Sequence, residues 1–427
     1  MKADLLIHSA AQLVTCASPH GAKRGPALAD VGLIADGAVA ISDGEIVAVG
    51  ASADLLADFQ AAQTIDASGK VVCPGFVDCH THLVYAGDRA HEFEMRIGGA
   101  TYMQIMAAGG GIVSTMKATR AASLAELVAA SRTRLATMLA LGTTTAEVKT
   151  GYGLSLEAEL KMLAAIAQLD LESPCQLIPT FLAAHTTPPE WKHDVDGYVQ
   201  LVIEVMLPQA KHWFAGSHFA GSHFSGNSPF FVDVFCEDHA FSVEQAQRVL
   251  AAGKAHGLAP KLHVDQFNSL GGVEMALALD AVSVDHLEVT NAADVGRLAA
   301  AATVAVVLPA VNFNLGQSSF APARSLIDQG AALALATDMN PGSAPCLSLP
   351  LVMAIACRYQ RMLPSEALNA CTINAAHALG MGGQIGSIEV GKQADLLLLA
   401  TPDYRHLAYQ LGGNLVETVV KRGQILA

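Results

Sequence analysis

Short apolar runs alternate with amphipathic stretches along most of this chain of 427 residues. Between residues 71 and 338 eight such runs occur, each of a length that suits one β-strand. The stretches between them carry helix start signals, including Ser123 with Glu126 and Ser242 with Gln245 as predicted capping boxes. Strands that alternate with helices form parallel sheets, and eight units favour a closed barrel. The predicted fold class is therefore α/β, a (β/α)8 TIM-type barrel.

The predicted strands are bounded by turn residues and by helix start and stop signals. They cover residues 72–78, 143–148, 176–184, 230–236, 260–264, 281–285, 303–308 and 332–337. The C-terminal ends of all strands in such a barrel open on one face, which is where barrel enzymes place their active sites. Residues that follow these strands are therefore the first candidates for a functional site.

The two ends of the chain differ from its middle. Near the N-terminus, Asp43-Gly44 lies between two apolar runs, which is the pattern of a β-hairpin. Strand-like runs return at 386–399 and 416–425, so we expect both ends to join in one small composite β domain beside the barrel. The predicted domains are 1–72 and 386–427 for the β domain and 73–385 for the barrel.

Composition and charge argue against several kinds of partner and location. A formal net charge of -14 disfavours nucleic acid and anionic membrane surfaces. The longest nearly apolar stretch, 298–311, is interrupted by Thr303 and Pro309 and is too short for a membrane span. Polar residues also interrupt the N-terminal apolar run, so a cytoplasmic location is expected. The eight cysteines form no C-x-x-C pair, and free thiols are expected.

Three histidines and one aspartate at the strand ends predict a metal site. His80 and His82 follow the first strand, and side chains two apart on an extended chain face the same way. His263 and Asp338 end the fifth and eighth strands, so a barrel would bring all four side chains to one mouth. Imidazole and carboxylate ligands suit zinc or iron. No lysine ends the fourth strand, where a carboxylated lysine could bridge two metals, so we expect one Zn²⁺ or Fe ion per chain.

A metal at the barrel mouth predicts hydrolysis. Such an ion lowers the pKa of a bound water towards about 7 and polarises a carbonyl oxygen. Asp338 could bind the metal and also accept a proton from this water, so it is a predicted catalytic residue. His286, at the end of the sixth strand, is the second, either as a base or as a further ligand. As a structural alternative, Asp338 could cap the turn formed by residues 338–342.

Longer motifs connect the chain to a known family. They are Asp78-Cys79-His80-Thr81-His82-Leu83, Gly109-Gly110-Gly111-Ile112, Gly142-Thr143-Thr144-Thr145, Lys149-Thr150-Gly151-Tyr152-Gly153-Leu154, Asp233-Val234-Phe235-Cys236-Glu237 and Thr337-Asp338-Met339-Asn340-Pro341-Gly342-Ser343. Over nearly its whole length the chain resembles the imidazolonepropionase family of the amidohydrolase superfamily. The resemblance implies hydrolysis of the cyclic amide of 4-imidazolone-5-propanoate to N-formimidoyl-L-glutamate, the third step of histidine degradation.

The resemblance also implies which residues bind this small carboxylate substrate. Arg89 would grip the propionate as a bidentate cation in an otherwise acidic protein, although an arginine there could also form a surface salt bridge. Tyr152 and His185 would line the pocket. Gln266 would hydrogen-bond a ring nitrogen without moving a proton, because an amide does not titrate. The other implied contacts are Asn340, Gly342 and Ser343.

Two other functions fit parts of the pattern. A deaminase or another cyclic amidohydrolase could use the same ligands at a different carbon. A non-catalytic barrel scaffold would require a broken metal site, whereas here no ligand position is missing.

Residues 215–227 contain Ala-Gly-Ser-His-Phe twice and are expected to form a loop at the N-terminal face of the barrel. The family tendency implies a homodimer, and this loop is a candidate for the contact.

Overall fold

A computed structural model describes residues 1–101, 104–105, 108–216 and 229–426, so most of the predicted loop at 215–227 lies outside the described residues. The N-terminal strands are β1 Lys2–Ala10, β2 Gln12–Val14, β3 Leu33–Ile34, β4 Gly37–Ser42, β5 Glu45–Ala51, β6 Gln60–Asp66 and β7 Val71–Pro74. The next eight are β8 Phe76–Asp78, β9 Thr143–Lys149, β10 Gln176–Ala184, β11 Phe231–Cys236, β12 Ala259–Val264, β13 Ser283–His286, β14 Val304–Val307 and β15 Leu333–Leu335. The last are β16 Leu396–Leu399, β17 Val416–Lys421 and β18 Gln424–Leu426.

The eight strands from β8 to β15 form one parallel sheet in which each strand pairs with the next along the chain. The first and last strands meet just beyond their ends, where Thr81 forms a bridge with Met339. Close by, the N–H of Asp338 donates to the carbonyl of His80 at 3.0 Å. These strands are almost entirely buried, as expected for parallel strands covered on both faces. The predicted (β/α)8 barrel is confirmed.

Helices follow the barrel strands, and their apolar faces join the barrel core. Between the strands they are Ala90–Ile97, Ile112–Ala121, Leu124–Ala140, Leu156–Glu172, Val195–Leu201, Leu207–Ala215, Val243–Ala255, Gly272–Ala278, Ala292–Ala300, Pro309–Asn314 and Ala323–Gln329. After β15 they are Leu349–Tyr359, Pro364–Ala370, Ile373–Ala378 and His406–Tyr409, and Ser52–Asp58 lies in the N-terminal part. Both predicted capping boxes, at Ser123 and Ser242, are present. Among the helices described, none combines the length and apolar character that crossing a membrane requires.

The two ends of the chain build the β domain together. Its strands form a four-stranded sheet, β5-β4-β1-β6, and a six-stranded sheet, β18-β17-β16-β7-β2-β3. In the second sheet β16 pairs antiparallel with β7, with Leu397 opposite Cys73. The predicted hairpin joins β4 to β5, and its turn residues Asp43 and Gly44 have φ of 52° and 79°, as a tight two-residue turn requires. A separate apolar core lies between these sheets, so the predicted composite β domain is confirmed.

One predicted strand is divided in the structure. The sequence predicts a single barrel strand over 72–78, whereas Val71–Pro74 belongs to the β domain and only Phe76–Asp78 belongs to the barrel. Gly75 marks the break, and a Cβ there would lie 2.3 Å from Oγ1 of Thr144. Both halves are apolar and buried, so hydrophobic periodicity could not reveal that the chain changes sheets between them.

Two helical glycines provide a matched test of packing around the barrel. A Cβ on Gly253 would lie 2.4 Å from Cγ1 of Val232, whereas the nearest atom to a Cβ on Gly296 is Oε1 of Gln329 at 3.7 Å. We expect Gly253→Ala to lower the free energy of unfolding by about 1–3 kcal/mol because the helix must move off the sheet. Gly296→Ala should raise it by roughly 0.5–1 kcal/mol, since alanine favours the helix. Urea denaturation measures both, and equal effects would contradict the packing described.

Candidate active site

The four predicted metal ligands converge at the C-terminal mouth of the barrel. Nε2 of His80 and Nε2 of His82 each lie 3.4 Å from Oδ1 of Asp338. Nε2 of His263 lies 3.3 Å from Nε2 of His82. Ligand atoms about 2.1 Å from one tetrahedral ion are separated by roughly 3.4 Å, so this spacing fits a shared zinc-sized ion.

Two of the atoms that face one another here have no protein partner. Nε2 of His80 and Oδ1 of Asp338 are buried and form no hydrogen bond, although buried polar atoms are nearly always paired. Burial lowers the pKa of His80 and His82 well below the usual histidine value, which preserves the neutral, metal-binding form. Burial also raises the pKa of Asp338 to about 7, so a neighbouring cation would stabilise its ionised form. This donor set fits a divalent metal.

The backbone after β15 directs Asp338 into the mouth. Asp338 has a φ of 51°, in the left-handed region that aspartate and asparagine tolerate better than most residues. The cap of the following turn is Asn340, whose Oδ1 accepts from the N–H groups of Gly342 and Ser343, both at 2.8 Å. Nδ2 of Asn340 donates to the carbonyl of Asp338 at 2.7 Å. Asn340 rather than the Asp338 side chain therefore caps the turn, which leaves the Asp338 carboxylate facing the histidines.

Two buried aspartates orient the imidazoles from behind. Oδ2 of Asp285 lies 2.6 Å from Nδ1 of His80, and Oδ2 of Asp233 lies 2.9 Å from Nδ1 of His263. A carboxylate on Nδ1 fixes the ring and leaves Nε2 available for a metal. Sequence reasoning did not assign these residues, although Asp233 is an acid within the otherwise apolar strand β11. That exception to the apolar pattern was the available signal.

His286 borders the same group of ligands. A ligand atom of its ring lies within 4.8 Å of those of His80 and Asp338, and Nδ1 lies 3.2 Å from Oε1 of Glu288. Burial disfavours a charge on this ring, but the carboxylates of Glu288 and Asp338 outweigh that effect and raise the pKa of His286. His286 can therefore hold a proton beside Asp338. Glu288, its hydrogen-bonding partner, was not predicted.

A cavity of about 550 Å³ opens directly above the ligands. Its wall includes these predicted site residues: His82, Arg89, Tyr152, His185, Gln266, His286, Asp338, Asn340 and Ser343. Gly342 instead lines an adjoining cavity, and its N–H already donates to Asn340. Phe235 and His239 complete part of the wall and were not predicted. The pocket size suits a small molecule.

Arg89 is held in a defined orientation at this cavity. Its Nε donates to Oε2 of Glu92 at 2.8 Å, while Oε1 of Glu92 accepts from the N–H of Gly111 at 3.0 Å. The guanidinium lies across Gly342, where a Cβ would approach Nη1 to 2.1 Å. The Glu92 side chain is only 8% exposed, so this pair is not the surface salt bridge considered from the sequence. Glu92 fixes one edge of the guanidinium and leaves the other available for a carboxylate.

Tyr152 and His185 form an aromatic wall beside the ligands. The His185 ring stacks on that of His82, with centroids 4.9 Å apart, and lies 5.4 Å from the Tyr152 ring. Burial lowers the pKa of His185 to about 3, so the ring is neutral at physiological pH. Its Nδ1 donates to the carbonyl of Gly151 at 3.1 Å, which leaves Nε2 as an acceptor. Burial raises the pKa of Tyr152, so its hydroxyl stays protonated and can donate.

Comparison with known proteins gives concordant results. The amidohydrolase family model matches residues 236–426. The chain is 60% identical to an imidazolonepropionase from Chloroflexus aggregans, over 99% of the chain and 98% of that protein. It is 50% identical to an imidazolonepropionase from Herpetosiphon aurantiacus, over 99% and 97%.

A solved structure supports the fold. The chain resembles an adenosine deaminase from Xanthomonas campestris with bound zinc, with a TM-score of 0.72 and 20% identity over 99% of the chain and 93% of that structure. Identity this low establishes the architecture alone. The similarity to the two imidazolonepropionases, in contrast, is high and extends over essentially the full length. The chain therefore belongs to the imidazolonepropionase family.

Proposed function

We propose that this protein is a metal-dependent hydrolase that opens the ring of 4-imidazolone-5-propanoate with water and releases N-formimidoyl-L-glutamate. The observation that carries the proposal is the convergence of His80, His82, His263 and Asp338 at 3.3–3.4 Å beneath a cavity that Arg89 lines. The first four groups suit one zinc or iron ion, and the guanidinium suits the carboxylate of the substrate.

Each polar group around the cavity binds a different part of the substrate. Arg89 takes the propionate and so sets the distance of the ring from the histidines. Tyr152 can donate from its hydroxyl, and Nε2 of His185 can accept from a ring N–H. Gln266 also lines the cavity and can both donate and accept there. These contacts orient the ring carbonyl towards the four predicted ligands. Holding reacting groups in the correct geometry lowers the activation free energy of the reaction.

Asp338 and His286 transfer the protons of the reaction. A metal held by His80, His82, His263 and Asp338 would lower the pKa of a bound water and would polarise the ring carbonyl. Asp338 accepts the proton of the attacking water as its oxygen bonds to the carbonyl carbon. The ring C–N bond then breaks, and the proton passes from Asp338 or His286 to the leaving nitrogen. One water is consumed, and the former carbonyl carbon becomes the second carboxylate of the product.

Metal removal tests the proposal directly. Freshly generated imidazolone propionate is added to purified protein, and N-formimidoyl-L-glutamate is measured before and after treatment with a chelator. We expect product only from the untreated protein, about one ion per chain by mass spectrometry, and recovery of activity when Zn²⁺ or Fe²⁺ is restored. Chelator-insensitive turnover would contradict the metal mechanism. Ammonia release without ring opening would instead indicate a deaminase.

Assembly and location are part of the same proposal. We expect a cytoplasmic homodimer, measurable by light scattering after size exclusion. All eight cysteines are free thiols, which suits a reducing compartment.

Exposed aromatic side chains support the proposed dimer. Phe320 stacks on Tyr359 with ring centroids 4.7 Å apart, and Tyr359 and Phe313 are about half exposed. Exposed aromatic side chains of this kind are enriched at protein interfaces.

A further inference from the structure

A second group of potential metal ligands shares His80 with the site described above and includes side chains that this site does not use. Ligand atoms of His80, Glu147 and Asp285 all lie within 4.8 Å of one another. The three side chains are buried, and Oε2 of Glu147 has no hydrogen-bonding partner. A buried carboxylate oxygen without a partner is rare and indicates a position that a cation could use.

The ammonium group of Lys149 occupies the centre of this region. Its Nζ lies 2.7 Å from Oδ2 of Asp233, 3.0 Å from Oε1 of Glu147 and 3.4 Å from Oδ2 of Asp285. All four side chains are fully buried. One cation therefore contacts three carboxylates that come from three different strands, as a metal ion would.

The charge balance of the cluster depends on this lysine. A second buried lysine, Lys261, lies 3.0 Å from Oε1 of Glu147, and its Nζ also donates to the carbonyl of Cys79 at 3.2 Å. Three carboxylates and two ammonium groups leave one negative charge in excess. Without Lys149 the excess would be two, in a region that excludes water, which is strongly unfavourable unless another cation enters.

We propose that Lys149 takes the place of a second metal ion and thereby keeps the barrel at one bound metal. The inference rests on the proposed function, since it assumes that the His80, His82, His263 and Asp338 site binds one ion. It makes Lys149 a positioning residue as well, because Asp233 and Asp285 are also the partners of His263 and His80.

Counting metal ions in a lysine variant tests the proposal. Wild-type protein and Lys149→Ala are saturated with Zn²⁺ or Mn²⁺, freed of excess ion, and analysed by mass spectrometry. We expect one ion per chain in the wild type and two in Lys149→Ala. Thermal denaturation gives a second readout, because added ion should raise the Tm of Lys149→Ala by about 5 °C more than that of the wild type.

Two matched variants separate the position of Lys149 from the loss of a buried charge. Lys261→Ala removes the same charge, but Lys149 still fills the position between the three carboxylates, so this variant should lose stability and still bind one ion. The double variant Lys149→Ala/Glu147→Gln restores the wild-type charge balance and should also bind one. A count of two in either control would overturn the specific role of Lys149.

The remaining outcomes also decide the question. One ion in folded Lys149→Ala would overturn this inference alone, whereas no ion in the wild type would overturn the proposed function. If Lys149→Ala does not fold, Lys149→Gln serves in its place, and the same count applies. Failure of both to fold in medium with added zinc would overturn the inference, because the metal is expected to replace the missing charge.

Discussion

Replacing Asp338 by asparagine is expected to lower kcat by at least about 10³-fold while the fold is retained. Asparagine matches aspartate in shape and tolerates the φ of 51° at this position, so the turn after β15 should persist. The neutral amide, however, cannot accept the proton of the attacking water and is a poorer metal ligand. Product formation measures kcat, circular dichroism checks the fold, and mass spectrometry counts the bound ion.

Asp265→Asn is the matched control for Asp338→Asn. Asp265 is also a buried aspartate just beyond a strand end, with a φ of 55°. Its Oδ2 accepts from Thr290 and Ser269 at 2.9 and 3.3 Å, outside the group of metal ligands. We expect this variant to keep kcat within about threefold of the wild type, as for a substitution that conserves shape. More than a tenth of the wild-type kcat in Asp338→Asn would contradict its role in proton transfer.

The second large effect is expected at Arg89. Arg89→Met should raise the KM for imidazolone propionate about 100-fold, because the substrate carboxylate would enter a partly buried site without its cation. The methionine side chain replaces most of the lost volume, so Gly342 and the neighbouring turn should be little disturbed. Arg89→Lys keeps the charge but loses the bidentate fork, and an increase of about tenfold is expected. Steady-state kinetics with the purified variants provides these values.

A substrate analogue separates lost recognition from a disturbed pocket. In the analogue, a propionamide replaces the propionate and removes the negative charge. The wild type should bind this analogue about as weakly as Arg89→Met binds the natural substrate, and Arg89→Met should discriminate little between the two. If Arg89→Met left KM within threefold of the wild type, the carboxylate would have to bind elsewhere, and Lys192 at the cavity wall would be the next candidate.

Much of the barrel could be predicted because its signals are local. Each strand is a short apolar run and each intervening helix has its own start signal, so Ser123 and Ser242 mark helices without any knowledge of the fold. The split of 72–78 into two strands was not predictable in this way. The two halves pair with different sheets, and Gly75 between them lies against Thr144, a neighbour that it meets only in the folded chain.

The predicted metal ligands could also be chosen from the sequence. A barrel places every strand end on one face, so His80, His82, His263 and Asp338 could be grouped before any distance was known. Glu92 behind Arg89 and Glu288 behind His286 were not predicted, because an acid near a cation in the sequence is usually a solvated surface residue. Burial and distance distinguish these two acids from that common case.

Hydrophobic periodicity and strand order were enough to predict the barrel, the composite β domain and the side chains at the barrel mouth. How those side chains are supported follows only from the folded chain. Asp233, Asp285 and Lys149 lie on different strands, and their ion pairs arise only when the barrel brings the strands together. The strength of an ion pair depends on the distance between its charges and on the exclusion of water, and neither can be read from the amino-acid sequence.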